Sequence, residues 1–334
     1  MSKLCYTDRR VPFRGGTMRV LRAWIMAMAF AVSAALAPAL AAPVAGQDDP
    51  AFKAAVSDWL QASEGPALTA LSQLAAQGNA AAQVFLAIID TTPAYQGDWL
   101  TSLPRAQRIA VLRAPGGLSG QNWMRVAAER EPLAQAFLTL WDGDATADVV
   151  LDFARLGERR VAHMAARQLF SRERRGFGAI GDDPAFPPSL LPLAIRDWQD
   201  DDPARAKAAL AGLAPGDPGR KVVGLGDPSD AALLLWAQDH PLGANLLKTL
   251  GTLCPGSALR AEDLAAYLSQ AGGFWALAWL GPPSERLVDP ARYAASPQAA
   301  QTALRLLRAG PLAGPQAIAA SPCIAALLQA RAAP

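Results

Sequence analysis

The sequence predicts an all-α protein built from stacked antiparallel pairs of short helices. Apolar residues recur every three or four positions along most of the chain, as in the stripe Leu242, Leu246, Leu250 and Leu253, and this spacing places them on one helical face. Alanine fills many of the remaining positions and favours helix. Alternating runs of β-branched residues are absent from the sequence, so no sheet is predicted.

Aspartate or serine followed by proline marks the expected helix starts. The side-chain oxygen can cap an N–H group of the first turn, and proline at the first helical position has no N–H group to leave unpaired. Roughly a dozen short helices are expected from this punctuation and from the glycines between the pairs. The pairs are Asp49–Pro50, Asp183–Pro184, Asp202–Pro203, Asp227–Pro228, Asp289–Pro290, Ser296–Pro297 and Ser321–Pro322.

The N-terminal segment predicts export. Arg19 and Arg22 precede an apolar run from Ala23 to Ala37, and small residues follow it up to Ala42. This order is typical of a cleaved secretory signal peptide, here residues 1–41, and it predicts a periplasmic or secreted protein. The apolar run is shorter than the ~20 residues that a spanning helix needs, so no integral membrane span is expected after cleavage.

Three alternatives stay open at this end of the chain. Translation can start at Met1 or at Met18, because residues 1–17 are polar and have no structural pattern. The pair Arg9–Arg10 leaves twin-arginine export open. An uncleaved membrane anchor is the third alternative to a cleaved signal peptide.

Removal of the signal peptide reverses the sign of the net charge. Six of the 31 lysine and arginine residues and one of the 29 acidic residues precede Ala42, which leaves 25 positive and 28 negative groups. A weakly acidic chain lacks the basic surface that nucleic-acid binding requires, so no nucleic-acid partner is expected.

Two of the three cysteines remain in the mature chain, Cys254 and Cys323. An even number of cysteines in an oxidising compartment favours one disulfide, although two buried thiols are the alternative. The bond would close a loop of roughly 70 residues, which the chain-entropy account values at about 4 kcal/mol.

The stretch from Leu74 to Ala87, LAAQGNAAAQVFLA, resembles the core of a Sel-like repeat, a relative of the tetratricopeptide repeat. The likeness is good over residues 66–90 and degenerate elsewhere, with a partial echo at 134–142. It implies a degenerate α-solenoid in which one helix ends at a glycine and the next begins with alanines that pack against the first. The repeat-motif residues are Gly78, Asn79, Ala82, Gln83 and Leu86.

A glycine- and proline-rich segment divides the mature chain in this interpretation. It lies between Arg172 and Ser189 and predicts a boundary between an N-terminal repeat-like array, residues 42–175, and a C-terminal helical domain, residues 176–334. The cysteine pair would hold the second domain together.

No catalytic, cofactor-binding or metal-binding residue is predicted, and the chain is not expected to be an enzyme. His163 is expected to be a partly exposed helix residue, and two isolated histidines without a metal-binding motif give zinc little to bind. An envelope hydrolase that uses acids brought together by folding is the alternative. Its candidate acids are Asp182, Asp183, Asp200–Asp202 and Glu262, for most of which helix capping is the simpler explanation.

Aromatic residues near position 275 form the remaining candidate site. Trp275 and Trp279 are four residues apart beside Phe274, which places the tryptophans on one helical face. Core packing is the simpler explanation, but an exposed face there would be a binding surface for a peptide or glycan. The sequence thus predicts an exported helical-repeat protein that binds other proteins or peptides of the cell envelope, with a purely structural secreted domain as another alternative.

Overall fold

A computed structural model describes residues 43–113, 120–143, 145–173, 175–224, 281–309 and 322–323. The described residues form helices joined by turns, with no strand among them, and consecutive helices pack in pairs. The predicted all-α class is therefore confirmed, and the paired packing is that of a solenoid-like fold.

The helices have an average of about three turns or fewer, as the frequent prolines and glycines require. In chain order they are α1 (Pro50–Leu60), α2 (Glu64–Ala76), α3 (Ala80–Thr91), α4 (Asp98–Ser102), α5 (Arg105–Leu112), α6 (Gly120–Ala128), α7 (Pro132–Trp141), α8 (Ala147–Arg155), α9 (Arg159–Glu173), α10 (Phe177–Ile180), α11 (Leu191–Asp201), α12 (Pro203–Gly212), α13 (Pro218–Gly224), α14 (Pro290–Ala294) and α15 (Pro297–Ala309). Short 3-10 helices cover Pro93–Tyr95 and Pro188–Leu190.

Neighbouring helices build the core layer by layer. α1 packs on α2, α2 on α3 and α3 on α6, after which α6 to α9 each pack on the next helix. Aromatic rings meet edge to face in two layers: Trp59 and Phe85 with centroids 5.2 Å apart, and Phe137 and Phe153, also 5.2 Å apart. Such contacts add about 0.5–1.5 kcal/mol each to the burial of the rings.

Aspartate and serine caps start several helices as predicted. The side chains of Asp49, Asp202, Asp289 and Ser296 each accept a hydrogen bond from a backbone N–H group in the following first turn. Asp183 is the exception, because no helix begins after it. Its side chain accepts from Ala185 N inside a turn, at 2.8 Å, so this expectation was wrong.

The repeat-like turn lies between α2 and α3. Gly78 follows the end of α2 with a φ of 94°, a left-handed conformation that only glycine adopts without strain. Asn79 is the N-cap of α3, and its side-chain oxygen accepts from Ala82 N at 2.9 Å. Gln83 is buried and donates from Nε2 to Ala75 O of the preceding helix at 3.0 Å, so this polar side chain ties α3 to α2.

Contacts cross the segment around residue 175 where the domain boundary is predicted. Phe170 of α9 stacks on Phe177 of α10 with centroids 6.1 Å apart. The buried carboxylate of Asp197 accepts three consecutive backbone N–H groups from Gly176 to Gly178, at 2.7–2.9 Å. The described helices on the two sides are therefore joined by both apolar and polar contacts.

Residues 281–309 pack back onto the first helices of the chain. α15 contacts α1 and the 3-10 helix at 93–95, and the ring of Tyr293 stacks on Trp59 with centroids 5.9 Å apart and an interplanar angle of 13°. Arg292 donates to the Ser57 hydroxyl at 2.7 Å. This return places the segment before α14 directly beside α1.

All described residues belong to one compact unit that begins at Pro43. Within these residues, no helix combines the length and the apolar character that crossing a bilayer requires.

Candidate functional site

A pocket of about 260 Å³ lies between α1 and the segment that precedes and begins α14. Residues 286–292 form one wall and α1 forms the other. The lining residues are Gln47, Asp48, Phe52, Lys53, Val56, Leu60, Arg286, Leu287, Val288, Asp289 and Arg292.

The apolar floor of the pocket follows from the periodicity of α1. Phe52, Val56 and Leu60 are four residues apart and therefore share one face of the helix. All three are almost fully buried, and Val288 from the opposite wall is 3% exposed. The floor is thus a rigid part of the core rather than a loose surface.

Charged side chains surround this floor. Lys53 pairs with Asp48 at 2.7 Å, and Asp289 uses Oδ1 to cap α14. Arg292 donates to a neutral hydroxyl, that of Ser57, so this contact leaves its positive charge uncompensated. With Arg286 as a third cation, the lining carries one more positive than negative group, which favours an anionic ligand.

A buried polar cluster holds the wall of the pocket in place. We call the four residues Glu158, Arg160, Ser284 and Glu285 the latch. The Glu158 carboxylate accepts from the Ser284 hydroxyl and from the N–H groups of Glu285 and Arg286, both at 3.0 Å. In the opposite direction, the Glu285 carboxylate accepts from the N–H groups of Arg159 and Arg160 at 2.9 and 3.2 Å.

Arg160 completes the attachment of the wall. It is 1% exposed, and its guanidinium donates to the carbonyls of Pro282 and Pro283 at 2.5 and 3.4 Å. The Tyr95 hydroxyl donates to Gly281 O at 3.0 Å. A Cβ atom on Gly281 would lie 2.2 Å from the guanidinium Nε, so glycine is the only residue that leaves room for Arg160.

Burial controls the protonation of this cluster. Removal of Glu158 from water raises its pKa from 4.5 to about 7, and the neighbouring Glu285 carboxylate raises it further, against the lowering effects of Ser284 and Arg160. Burial likewise raises the pKa of Tyr95 to about 12, so its phenol stays protonated. Glu158 is therefore the group of the latch that changes charge near neutral pH.

His163 was expected to be partly exposed, and this expectation was wrong. The side chain is 5% exposed because α9 is covered by the turn around Ser189. Its Nδ1 atom lies 2.7 Å from Arg159 O, and Nε2 lies 2.8 Å from Ser189 Oγ. These bonds explain the buried imidazole as a structural link between α9 and the 3-10 helix at 188–190.

The candidate acids of a hydrolase are engaged by arginines or by a backbone N–H group. Asp183 pairs with Arg155 at 2.7 Å, Asp200 with Arg175 at 2.7 Å and Asp182 with Arg205. Asp201 lies 3.8 Å from Arg175, and Asp202 caps α12. Across the described part of the chain, no group of three His, Cys, Asp or Glu residues is arranged to hold a metal ion.

Several sequence-predicted residues lie outside the described residues. These are Glu262, the aromatic surface of Phe274, Trp275 and Trp279, and Cys254, so the Cys254–Cys323 disulfide stays a prediction. Sequence reasoning in turn missed both the pocket and the latch. Glu158 and Ser284 are 126 residues apart, and no local pattern signals that they meet.

Comparison of the chain with protein-family models, with curated proteins and with solved structures finds no significant match.

Proposed function

We propose that this chain is an exported helical-repeat protein that binds an acidic peptide segment of another envelope protein. The binding site is the pocket between α1 and residues 286–292. The observation that carries the proposal is the placement of Arg292, Arg286 and Lys53 around a rigid apolar floor. A carboxylate of the peptide pairs with Arg292, and an adjacent apolar side chain contacts the floor.

The size of the pocket favours a peptide side chain over a whole small molecule. Small-molecule sites commonly enclose about 300–1,000 Å³, and this pocket, at about 260 Å³, lies just below that range. A protein segment can instead insert one side chain and extend along the exposed charged rim. Such a mode depends on charge, so affinity falls as salt concentration rises.

Export is supported by the order of charged, apolar and small residues before Ala42. The compact unit that begins at Pro43 is consistent with a mature chain that starts there. Membership of the Sel-like repeat family is supported by the local turn at Gly78 and Asn79, and helical repeats commonly serve as binding scaffolds.

The proposal is tested with ten-residue peptides of defined charge. We expect the wild-type protein to bind a fluorescently labelled peptide of glutamates with one central leucine more tightly than the same peptide with lysines. Fluorescence anisotropy measures both affinities at low and at physiological salt. The R292E variant reverses one charge at the rim and should weaken binding of the acidic peptide by about tenfold.

The matched control is R125E, which makes the same change of net charge at an exposed position of α6 outside the pocket. It should bind like wild type. Equal binding of the acidic and basic peptides, or equal effects of R292E and R125E, would overturn the proposal. Absence of binding to any peptide is the result that a purely structural secreted domain predicts.

A further inference from the structure

The wall of the pocket is attached by an exchange of buried carboxylates. Glu158, at the start of α9, binds backbone N–H groups of Glu285 and Arg286, while Glu285 binds backbone N–H groups at the start of α9. Residues 286–292 line the pocket directly after this crossing point. Any change in the exchange therefore changes the wall.

We propose that Glu158 and Glu285 form a proton-operated latch that closes the pocket wall at acidic pH and loosens it above neutral pH. As regulation of the peptide site, this inference rests on the proposed function. The closed latch holds one proton on the carboxylate pair. Opening exposes Glu158 to water, and its carboxyl releases that proton to solvent.

The geometry explains why a proton favours the closed state. Glu158 is 0% exposed, and a second carboxylate, Glu285, faces it from the returning segment. The other charged or titratable groups around it are Arg160 from α9 and Tyr95 from the 3-10 helix at 93–95. One guanidinium faces two carboxylates, so removal of one negative charge by protonation balances the cluster.

The direction of the pH effect follows from proton linkage. Glu158 binds a proton more readily when it is buried than when it is in water, so the closed state takes up protons. With values of about 7 when closed and 4.5 when open, the opening equilibrium should rise about tenfold between pH 6 and pH 8.5.

Hydrogen–deuterium exchange of the mature protein measures this opening without any ligand. We expect the amides of residues 284–293 to lose about tenfold of their protection between pH 6 and pH 8.5, after correction for intrinsic exchange. Amides of α3 should keep their protection over the same range. Constant protection of residues 284–293 would overturn the latch.

Two variants and a control assign the effect to the carboxylate pair. E158Q removes the titrating group and should reduce the pH effect to less than about twofold. E285Q keeps Glu158 but removes the facing charge, so the opening midpoint should move to lower pH. E131Q changes a glutamate that accepts from Ala45 N outside the latch, and it should keep the wild-type pH response.

An unchanged midpoint in E285Q, or a wild-type pH response in a folded E158Q, would also overturn the latch. Because exchange is measured without peptide, its failure bears on the latch alone. Failure of peptide binding by a protein with normal pH-dependent exchange bears on the proposed function alone.

Discussion

Substitution of Asn79 by alanine should destabilise the protein by about 2 kcal/mol, because this side chain has two separate roles. Its oxygen caps α3 through Ala82 N at 2.9 Å, a bond worth about 1 kcal/mol. Its amide also donates to Gly46 O at 3.1 Å and to Asp49 Oδ2 at 3.4 Å, which together contribute about 1 kcal/mol at this partly exposed site. Alanine removes all three bonds.

Two comparison variants separate these roles in urea unfolding followed by circular dichroism. N79D keeps the capping oxygen but loses both donated bonds, so it should lose about 1 kcal/mol. T146A removes a cap without any tether, at the start of α8, and should lose about 1 kcal/mol or less. Loss of under about 0.5 kcal/mol in N79A, or equal losses in N79A and T146A, would refute the reasoning.

Further predictions concern the latch, the cysteines and the N terminus. Because burial raises the pKa of Glu158 from 4.5 to about 7, the stability that its proton confers is present below pH 4.5 and lost as pH rises through 7, a fall of about 3 kcal/mol in unfolding free energy measured by urea titration at each pH; a flat profile would contradict the assignment. G281A should lose about 2 kcal/mol, since a Cβ atom meets the latch arginine at 2.2 Å, and wild-type stability would contradict the close approach. A reducing agent should lower the unfolding free energy by up to about 4 kcal/mol through the Cys254–Cys323 bond and leave the double serine variant unchanged; two free thiols in a thiol assay would disprove the bond. Mass spectrometry of the exported protein should find a chain that begins at Ala42, and recovery of the intact N terminus would count against export.

Local chemistry made the secondary structure predictable. Proline fixes its own φ and aspartate caps the turn that follows, so Asp49, Asp202 and Asp289 each mark a helix start in the sequence. The turn at Gly78 and Asn79 was predictable for the same reason, since both the left-handed glycine and the cap act within four residues.

The pocket and the latch were not predictable, because they depend on contacts between distant parts of the chain. Nothing in the residues around Glu158 indicates that Ser284 lies beside it, and a Glu-Arg-Arg triplet at a helix start is ordinarily an exposed sequence. His163 failed for the same reason, since the covering Ser189 turn is 26 residues away. Asp183 failed because a proline turn and a helix start share the same first two residues.

The central claim is that residues 281–309 return to α1 and so create the pocket. A double-mutant cycle with W59L and Y293L tests it most directly, because these stacked rings, 5.9 Å apart, join the two parts of the chain. We predict a coupling of about 1 kcal/mol in the unfolding free energy of the mature protein. Strictly additive losses would contradict the return of this segment and, with it, the pocket.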